Sequence, residues 1–483
     1  MPTDDIRRMG HLMRRAGFGA NDAELRQRAA KGIDATIQDL LDGAMQPDDG
    51  KSDWVLEAAR QRDRQHQLRP PMLKPWWLYR MISTPNPLQE KMVLFWHGHF
   101  ATSASKVGRA EFMLNQNRFF RDNALGNWRT FLQGISRDPA MILWLDNNTN
   151  FKGHANENYG RELMELFSLG IGNYTEHDVK QGSRAWTGWG IAYDRDTGGG
   201  FRFNPQQHDD GIKTYLRRTG NFDGDDVLDI ILEQPAAAEF LTRKLFTFFA
   251  YDNAEPEVIT SLADVFRKSN YNVRTLMEAI FKSQAFWSAK AYNSQIKSPT
   301  QLVVGALRML GYGQTAVEDA GGGQMGAESM GGAMGGMNMA GGRRGAAILY
   351  QMSNSLKAMG QDLFYPPNVK GWDGGPTWIN SATMLERVNF AVRMANNLKP
   401  RGGPGSLQSL MGDTASGDPA QIVDTLAANL GPVELPAAAR ATLAKAIAGD
   451  GATLAANNRG YQRVARLRSA ATLIMQSPLY QLC

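Results

Sequence analysis

Apolar side chains recur with the period of an amphipathic helix, about 3.6 residues, along most of the chain. Segments with this pattern are 21–43, 225–234, 236–250, 257–269, 272–283, 298–310, 420–430, 436–448 and 459–477. The first segment opens with Asn21, followed three residues later by Glu24, which is a capping-box pattern for a helix start. We therefore expect a mainly α-helical fold.

Period-two alternation, the mark of a strand, is scarce. A short hairpin within 187–211, turning near Gly198–Gly200, is the best candidate.

Residues 312–345 form a Gly/Met-rich segment. It has too few apolar side chains to offset the entropy lost when the chain becomes ordered, so we expect a flexible insertion. Around it, the pattern predicts one helical domain with three parts, listed as 1–150, 151–311 and 346–483.

Residues 364–390 break the helical period again. The stretch holds two prolines in a row, several glycines, Trp372 and Trp378, which predicts a tightly turned, ordered loop before a helix starting near Ser381. Ordered loops on helical scaffolds often carry function. The alternative is that the two tryptophans only cover the core.

Composition excludes several classes of protein. The 483 residues are 42% hydrophobic with a net charge of +5, and the Lys and Arg residues are scattered, so a nucleic-acid partner has little support. Cys483 is the single cysteine, so the chain has no intrachain disulfide and no cysteine metal cluster. The sequence has neither a signal-peptide pattern nor a run of about 18 apolar residues. We expect no membrane span, and either a cytoplasmic protein or one whose leader has been removed.

The stretch "NENYGRELMELFSLGIGNYTEHD" (156–178) is the main candidate site. On a helix, Glu157, Asn158, Arg161, Glu162 and Glu165 share an arc of roughly 140°. An ordinary surface helix with i,i+4 ion pairs would look similar. The arc has no lysine, however, and its flanks are rich in Asn, Gly and His, which favours a site that fixes charges.

Three histidines are candidate metal ligands. His97 and His99 form H-x-H in "LFWHGHF", and His208 follows the predicted hairpin. A strand would point His97 and His99 the same way, but this stretch has the pattern of a helix, on which residues i and i+2 lie about 200° apart. We expect one of the pair to face a polar pocket and the other to be a core histidine.

Lys297, just before a predicted helix start, is expected to be an exposed charge, with a phosphate or carboxylate contact as the alternative.

Common catalytic motifs are missing from the sequence: there is no G-x-S-x-G, no P-loop, no dinucleotide-binding fingerprint and no H-E-x-x-H.

Eight stretches of the sequence resemble those of a known protein family. They are "HLMRRAGFG" (11–19), "PLQEKMVLFWHGHFATS" (87–103), "RDPAMILWLDN" (137–147), "NENYGRELMELFSLGIGNYTEHDV" (156–179), "RAWTGW" (184–189), "TGNFDGDDVLDIIL" (219–232), "KSP" (297–299) and "PPNVKGW" (366–372). Together they resemble the DUF1800 family nearly end to end, apart from the Gly/Met-rich insertion.

The resemblance implies a bacterial protein whose relatives are often exported to the periplasm or cell surface and encoded beside DUF1501 proteins. A DUF1501 protein is therefore the expected partner. The resemblance implies no settled reaction, so the chemistry rests on the residues themselves.

Three functions are open. The first is a hydrolase or lyase acting on a sugar or polymer, in which Glu162 or Glu165 is the acid/base, Glu157 its partner and Arg161 the residue that orients them. Its expected substrate contacts are Asn158, Trp186, Trp189, Lys370 and Trp372. The second is a metalloenzyme in which His97 or His99 binds a divalent ion as cofactor together with Glu162 and Glu165, with His208 as a further candidate ligand. The third is a non-enzymatic assembly or surface-organising protein, in which these polar groups form a buried network.

Overall fold

The computed structural model describes residues 4–61, 63–194, 198–312, 343–400, 405–412, 414, 417–431, 434–449 and 456–483. Helices dominate these residues, as the periodicity predicts, and the described strands form two short antiparallel hairpins. Among the described helices, none combines the length and apolar character that crossing a bilayer requires. The predicted flexible insertion at 312–345 lies outside the described residues over 313–342.

Ten α-helices occupy the described part of residues 4–150. They are α1 (Asp4–Arg15), α2 (Asp22–Lys31), α3 (Ile33–Gly43), α4 (Trp54–Arg60), α5 (Leu73–Ser83), α6 (Pro87–His99), α7 (Ala104–Val107), α8 (Ala110–Asp122), α9 (Trp128–Ser136) and α10 (Pro139–Trp144). Short 3-10 turns, Pro70–Met72 and Asn147–Thr149, lie before α5 and after α10.

The central and C-terminal parts continue the helical pattern. Their helices are α11 (Asn158–Glu162), a π-helix (Leu163–Ser168), α12 (Glu176–Ala185), α13 (Gly224–Leu232), α14 (Pro235–Phe249), α15 (Pro256–Lys268), α16 (Val273–Lys282), α17 (Pro299–Met309), α18 (Arg343–Ala358), α19 (Ser381–Asn396), α20 (Leu407–Met411), α21 (Pro419–Asn429), α22 (Ala437–Ala448) and α23 (Ala456–Gln476). Short 3-10 turns lie at Pro205–Gln207 and Gly375–Trp378, and another, Pro478–Gln481, follows α23.

The first predicted helix is in fact two helices. Asn21 caps α2 as expected, with its side chain accepting from the Glu24 backbone N–H at 3.0 Å. Gly32 then adopts φ of 95°, a left-handed value that glycine tolerates, and breaks the helix between α2 and α3. The other eight periodic segments each coincide with one observed helix, namely α13 to α17 and α21 to α23.

The predicted hairpin is confirmed. β1 (Trp189–Ala192) pairs with β2 (Gly200–Phe203), with Trp189 opposite Phe203. A second hairpin, β3 (Lys213–Tyr215) with β4 (Arg218–Gly220), was not predicted. Its two-residue turn places Leu216 and Arg217 at φ of 44° and 67°. Tight hairpin turns usually mark such positions with Asn or Gly, so the sequence lacks the signal.

Buried apolar side chains form one cluster that includes residues from Ile6 to Tyr480. Helix α6 runs through it, and its Trp96 ring lies 4.3 Å from Phe131 and 5.4 Å from Trp128, measured between ring centroids. Because α6 is enclosed on nearly every side, the histidines at its C-terminal end are held in fixed positions.

A buried charge network locks α5, α6 and α8 together. Glu90 of α6 is fully buried and accepts from Arg80 Nε at 2.6 Å, Arg121 Nε at 2.6 Å and Trp77 Nε1 at 2.9 Å. Burial alone would raise the pKa of Glu90, but the charges of Arg121 and Arg80 lower it to about 2. A buried carboxylate bound in this way fixes helix positions, and removing it would leave Asp48 as the one carboxylate paired with both guanidinium groups.

Candidate functional site

The segment 156–178 folds as the short helix α11 followed directly by the π-helix Leu163–Ser168. A π-helix has hydrogen bonds between residues five apart, where an α-helix has them between residues four apart. At the C-terminal end of this π-helix the Leu169 N–H donates in this way to Met164 O at 2.9 Å. The Ser168 hydroxyl reinforces this turn by donating to Leu163 O at 2.5 Å. Residues of a π-helix are displaced from their positions on an α-helix, and such turns occur frequently at functional sites.

Glu162 and Glu165 are both half-buried but differ in their hydrogen bonds. Glu165 Oε2 accepts from the Tyr174 hydroxyl at 2.7 Å. Glu162 accepts no hydrogen bond from any described residue. Burial, and then the negative charge of Glu165, raise the pKa of Glu162, while the nearby charge of Arg161 opposes the shift. The two carboxyl groups therefore lie in different hydrogen-bonding environments.

Arg161 binds a different pair of glutamates. Its Nη1 and Nη2 each donate to Glu176 at 2.7 Å, and Nη2 also lies 3.2 Å from Glu157 Oε2. Glu176 is largely exposed, and these contacts hold the pKa of Arg161 above its ordinary value. Asn158 is exposed and lies 3.4 Å from Asp146 Oδ2 through its Nδ2. The predicted polar arc thus divides into a surface ion-pair group and the Glu162–Glu165 pair.

Tyr174 and Glu176 are the residues that the helical wheel missed. Both come after the π-helix, and Tyr174 is brought back beside Glu165 by a turn in which Gly170 and Gly172 have φ of 81° and 91°. Only glycine adopts these angles without strain. The paired glycines in "SLGIGNY" are the one sequence signal that could have indicated this return.

Two carbonyls at the end of the π-helix are bound by side chains from other helices. His99 Nε2 donates to Phe167 O at 3.0 Å, and Lys244 Nζ of α14 donates to Leu166 O at 3.2 Å. Both groups supply donors to carbonyls that a helix end leaves without partners. Burial holds the pKa of His99 well below its ordinary value, and burial with the charge of Lys370 lowers the pKa of Lys244 to about 8.

His97 anchors the Trp-containing loop. Its Nε2 accepts from the Phe364 backbone N–H at 3.0 Å, and its ring lies 5.6 Å from that of Trp372. Phe364 has φ of 65°, an unusual value for an aromatic residue, so the hydrogen bond supports a strained position. Gly371 packs so closely that a Cβ there would lie 2.5 Å from Gly98 O. The loop that contains Trp372 therefore lies against His97.

The three histidines do not meet at one centre. His208 Nδ1 donates to Thr187 O at 2.9 Å at the base of the first hairpin, while His97 and His99 are engaged as described above. Burial lowers the pKa of His97 to about 3, so its ring is neutral. In the part of the chain that the structure describes, no group of three His, Cys, Asp or Glu side chains has the arrangement of a metal site.

The predicted substrate contacts are also divided. Trp186 and Trp189 are 0% and 5% exposed and pack edge to face at 4.8 Å, so they belong to the core and offer no stacking wall to a ligand. Trp372 is half-buried, and the exposed Lys370 pairs with Asp373 at 2.7 Å. Of the three tryptophans, only Trp372 keeps a surface that a ligand could reach.

Comparison with known proteins identifies the family. The model of a protein family of unknown function, DUF1800, matches residues 11–482. No curated protein and no solved structure matches the chain. Because the family model spans nearly the whole sequence, including α11, the π-helix and the loop anchored by His97, the chain belongs to the DUF1800 family.

Proposed function

We propose that the chain is an enzyme in which Glu162 and Glu165 act as an acid–base pair. The supporting observation is their unequal environment: Tyr174 donates to Glu165, whereas the half-buried Glu162 accepts no hydrogen bond from the described residues. A carboxyl group with a raised pKa beside a second carboxyl group, as Glu162 is beside Glu165, is typical of sites where protons move.

In this proposal Glu162 is the general acid, because burial and the charge of Glu165 favour its protonated form. Glu165, which accepts a hydrogen bond from the Tyr174 hydroxyl, acts as base or nucleophile. Arg161, held in place by Glu176, supplies positive charge beside Glu162. Two carboxyl groups with separate roles suit a hydrolase or lyase acting on a sugar or polymer.

The experiment is a turnover assay on aryl glycosides and polysaccharides, following chromophore release and new reducing ends. Glu162→Gln and Glu165→Gln should each lower kcat/KM by about 100-fold or more, since each removes a proton-transfer group. Glu257→Gln is the matched control, because Glu257 is exposed at the start of α15. Full turnover in both pair variants would end the proposal.

A second candidate is a non-enzymatic organising protein. It is supported by the Glu90 network, whose carboxylate is sealed and fully paired, as expected of polar groups that fix a fold. The metalloenzyme alternative has less support, since His97 Nε2 and His99 Nε2 are each bound to backbone groups.

Family association further suggests a DUF1501 protein as partner, which co-purification from a native host would test. The scattered positive charge suggests no nucleic-acid partner.

A further inference from the structure

A small cavity lies between the end of α1, the start of α17 and the C-terminal 3-10 turn, away from the residues of the proposed acid–base pair. Its volume is about 20 Å³, which admits roughly one water-sized group. Its wall combines two cations, one carboxylate, one amide and apolar groups; these include Arg14, Lys297, Glu434, Asn293, Phe18 and Leu482.

Arg14 is the cation without a partner. Its guanidinium forms no hydrogen bond or ion pair with any described residue, and its Nε is buried. Burial lowers the pKa of Arg14 to about 10, so the group is still charged at neutral pH. The adjacent Arg15 differs, since it donates to Ala291 O at 2.7 Å and Ser294 Oγ at 2.8 Å. A guanidinium left unpaired in a cavity wall is suited to receive an anion.

Lys297 faces the same cavity. It is 8% exposed, so the expectation of an exposed charge is wrong. Its Nζ donates to Tyr480 O at 2.7 Å, which uses one of the three ammonium hydrogens. Burial, partly offset by Cys483 and reinforced by the charge of Arg14, lowers the pKa of Lys297 to about 7. The cavity is therefore lined by one guanidinium that is charged at neutral pH, Arg14, and one amine that titrates near neutral pH, Lys297.

The surroundings hold several buried basic groups. Arg15, Lys91, Lys297 and Arg387 are 1%, 0%, 8% and 1% exposed, and no described carboxylate lies within ion-pair distance of any of them. They donate instead to carbonyl, amide and hydroxyl oxygens, as Lys91 does to Gly17 O at 2.9 Å. The carboxylate in the cavity wall, Glu434, is bound to Arg7 at 3.2 Å. The negative charge of Cys483 offsets only part of the burial cost of Arg14 and Lys297, so an anion in the cavity would be favoured.

We propose that this cavity binds the carboxylate head group of a small ligand through Arg14 and Lys297. The guanidinium fork of Arg14 matches a carboxylate with two parallel hydrogen bonds, and the small cavity would hold the carboxylate oxygens with the rest of the ligand towards its opening. Phe18 and Leu482, which line the cavity, would lie against the part of the ligand next to the carboxylate. The site shares no residue with the Glu162–Glu165 pair, so the two proposals fail independently.

The test is thermal unfolding of the full chain in sodium acetate and in sodium chloride at equal ionic strength. Wild type, Arg14→Gln and Arg8→Gln are compared; Arg8 is the matched control, being half-buried on the same helix with its guanidinium over the Trp287 ring at 4.8 Å. Acetate should raise the Tm of wild type and Arg8→Gln above the chloride value. Arg14→Gln should weaken the apparent acetate affinity at least about tenfold, because it removes the charge-assisted pair.

An equal acetate response in wild type and Arg14→Gln, or no response in wild type, overturns the proposal. A response to inorganic phosphate that needs Arg14, with none to acetate, overturns the carboxylate assignment. If Arg14→Gln does not fold, crystals of the wild-type protein soaked in sodium acetate and in sodium chloride decide the question. Acetate difference density beside Arg14 and Lys297 supports the site, and its absence there overturns it.

Discussion

The Tyr174 hydroxyl donates to Glu165 Oε2 at 2.7 Å, across the turn that follows the π-helix. Burial, this hydrogen bond and the charge of Glu165 raise the pKa of Tyr174 to about 12, so the phenol stays a donor at neutral pH. This contact distinguishes Glu165 from Glu162, three residues earlier, and gives two similar carboxylates different environments.

Tyr174→Phe removes the donor and leaves the Glu165 carboxylate without it. We expect the free energy of unfolding to fall by about 1 kcal/mol, a modest value because the contact is only partly buried. Urea denaturation at neutral pH measures the change. Tyr461→Phe is the control, since Tyr461 is 77% exposed. Equal losses in the two variants would mean that the contact with Glu165 contributes nothing.

His97→Ala removes the acceptor for the Phe364 N–H and opens space beside Trp372. We expect a loss of about 2–4 kcal/mol in unfolding free energy, from the lost hydrogen bond and the cavity. The Phe364 amide should also exchange faster with deuterium, since φ of 65° then lacks this support. His177→Ala, at an exposed position of α12, should change neither quantity. Unchanged exchange at Phe364 in His97→Ala would show that the loop is held by other contacts.

Asp138 predicts a pH dependence of stability. This buried residue caps α10, accepting from the Met141 N–H at 2.9 Å and Gln116 Nε2 at 2.8 Å, and burial raises its pKa from 3.8 to about 7. Between these values the folded chain binds more protons than the unfolded chain. Stability from this group is therefore present below about pH 4 and lost as pH rises through about 7.

Asp138→Asn keeps an acceptor oxygen and removes the titration. The stability of wild type relative to this variant should fall by on the order of a few kcal/mol between pH 4 and pH 8. Chemical denaturation across this range measures the difference. A constant difference would mean that Asp138 does not titrate there.

Much of the helical fold follows from local sequence. Asn21 caps α2, and the periodic segments after residue 220 each become one helix, because both signals depend on neighbours in the chain. The break at Gly32 and the turn at Leu216 depend on backbone angles that residue type alone does not determine. Those elements were missed for that reason.

The candidate site was less predictable, because its contacts join distant segments. The helical wheel placed Arg161 among Glu157, Glu162 and Glu165, but its strongest partner, Glu176, lies on the next helix. Tryptophan is a residue type on which a sugar ring can stack, so the sequence suggested that Trp186 contacts a substrate. The fold shows that Trp186 is fully buried. Burial of this kind comes from tertiary packing, which periodicity does not encode.

The most direct measurement of the acid–base pair is a pH titration of the side-chain carboxyl carbons by ¹³C NMR, in wild type and in Glu165→Gln. The account predicts that Glu162 titrates above the ordinary glutamate pKa of 4.5 in wild type. It also predicts that the pKa of Glu162 falls in Glu165→Gln, because a neighbouring negative charge is removed. A Glu162 that titrates at or below 4.5, or that does not respond to Glu165→Gln, would contradict the account.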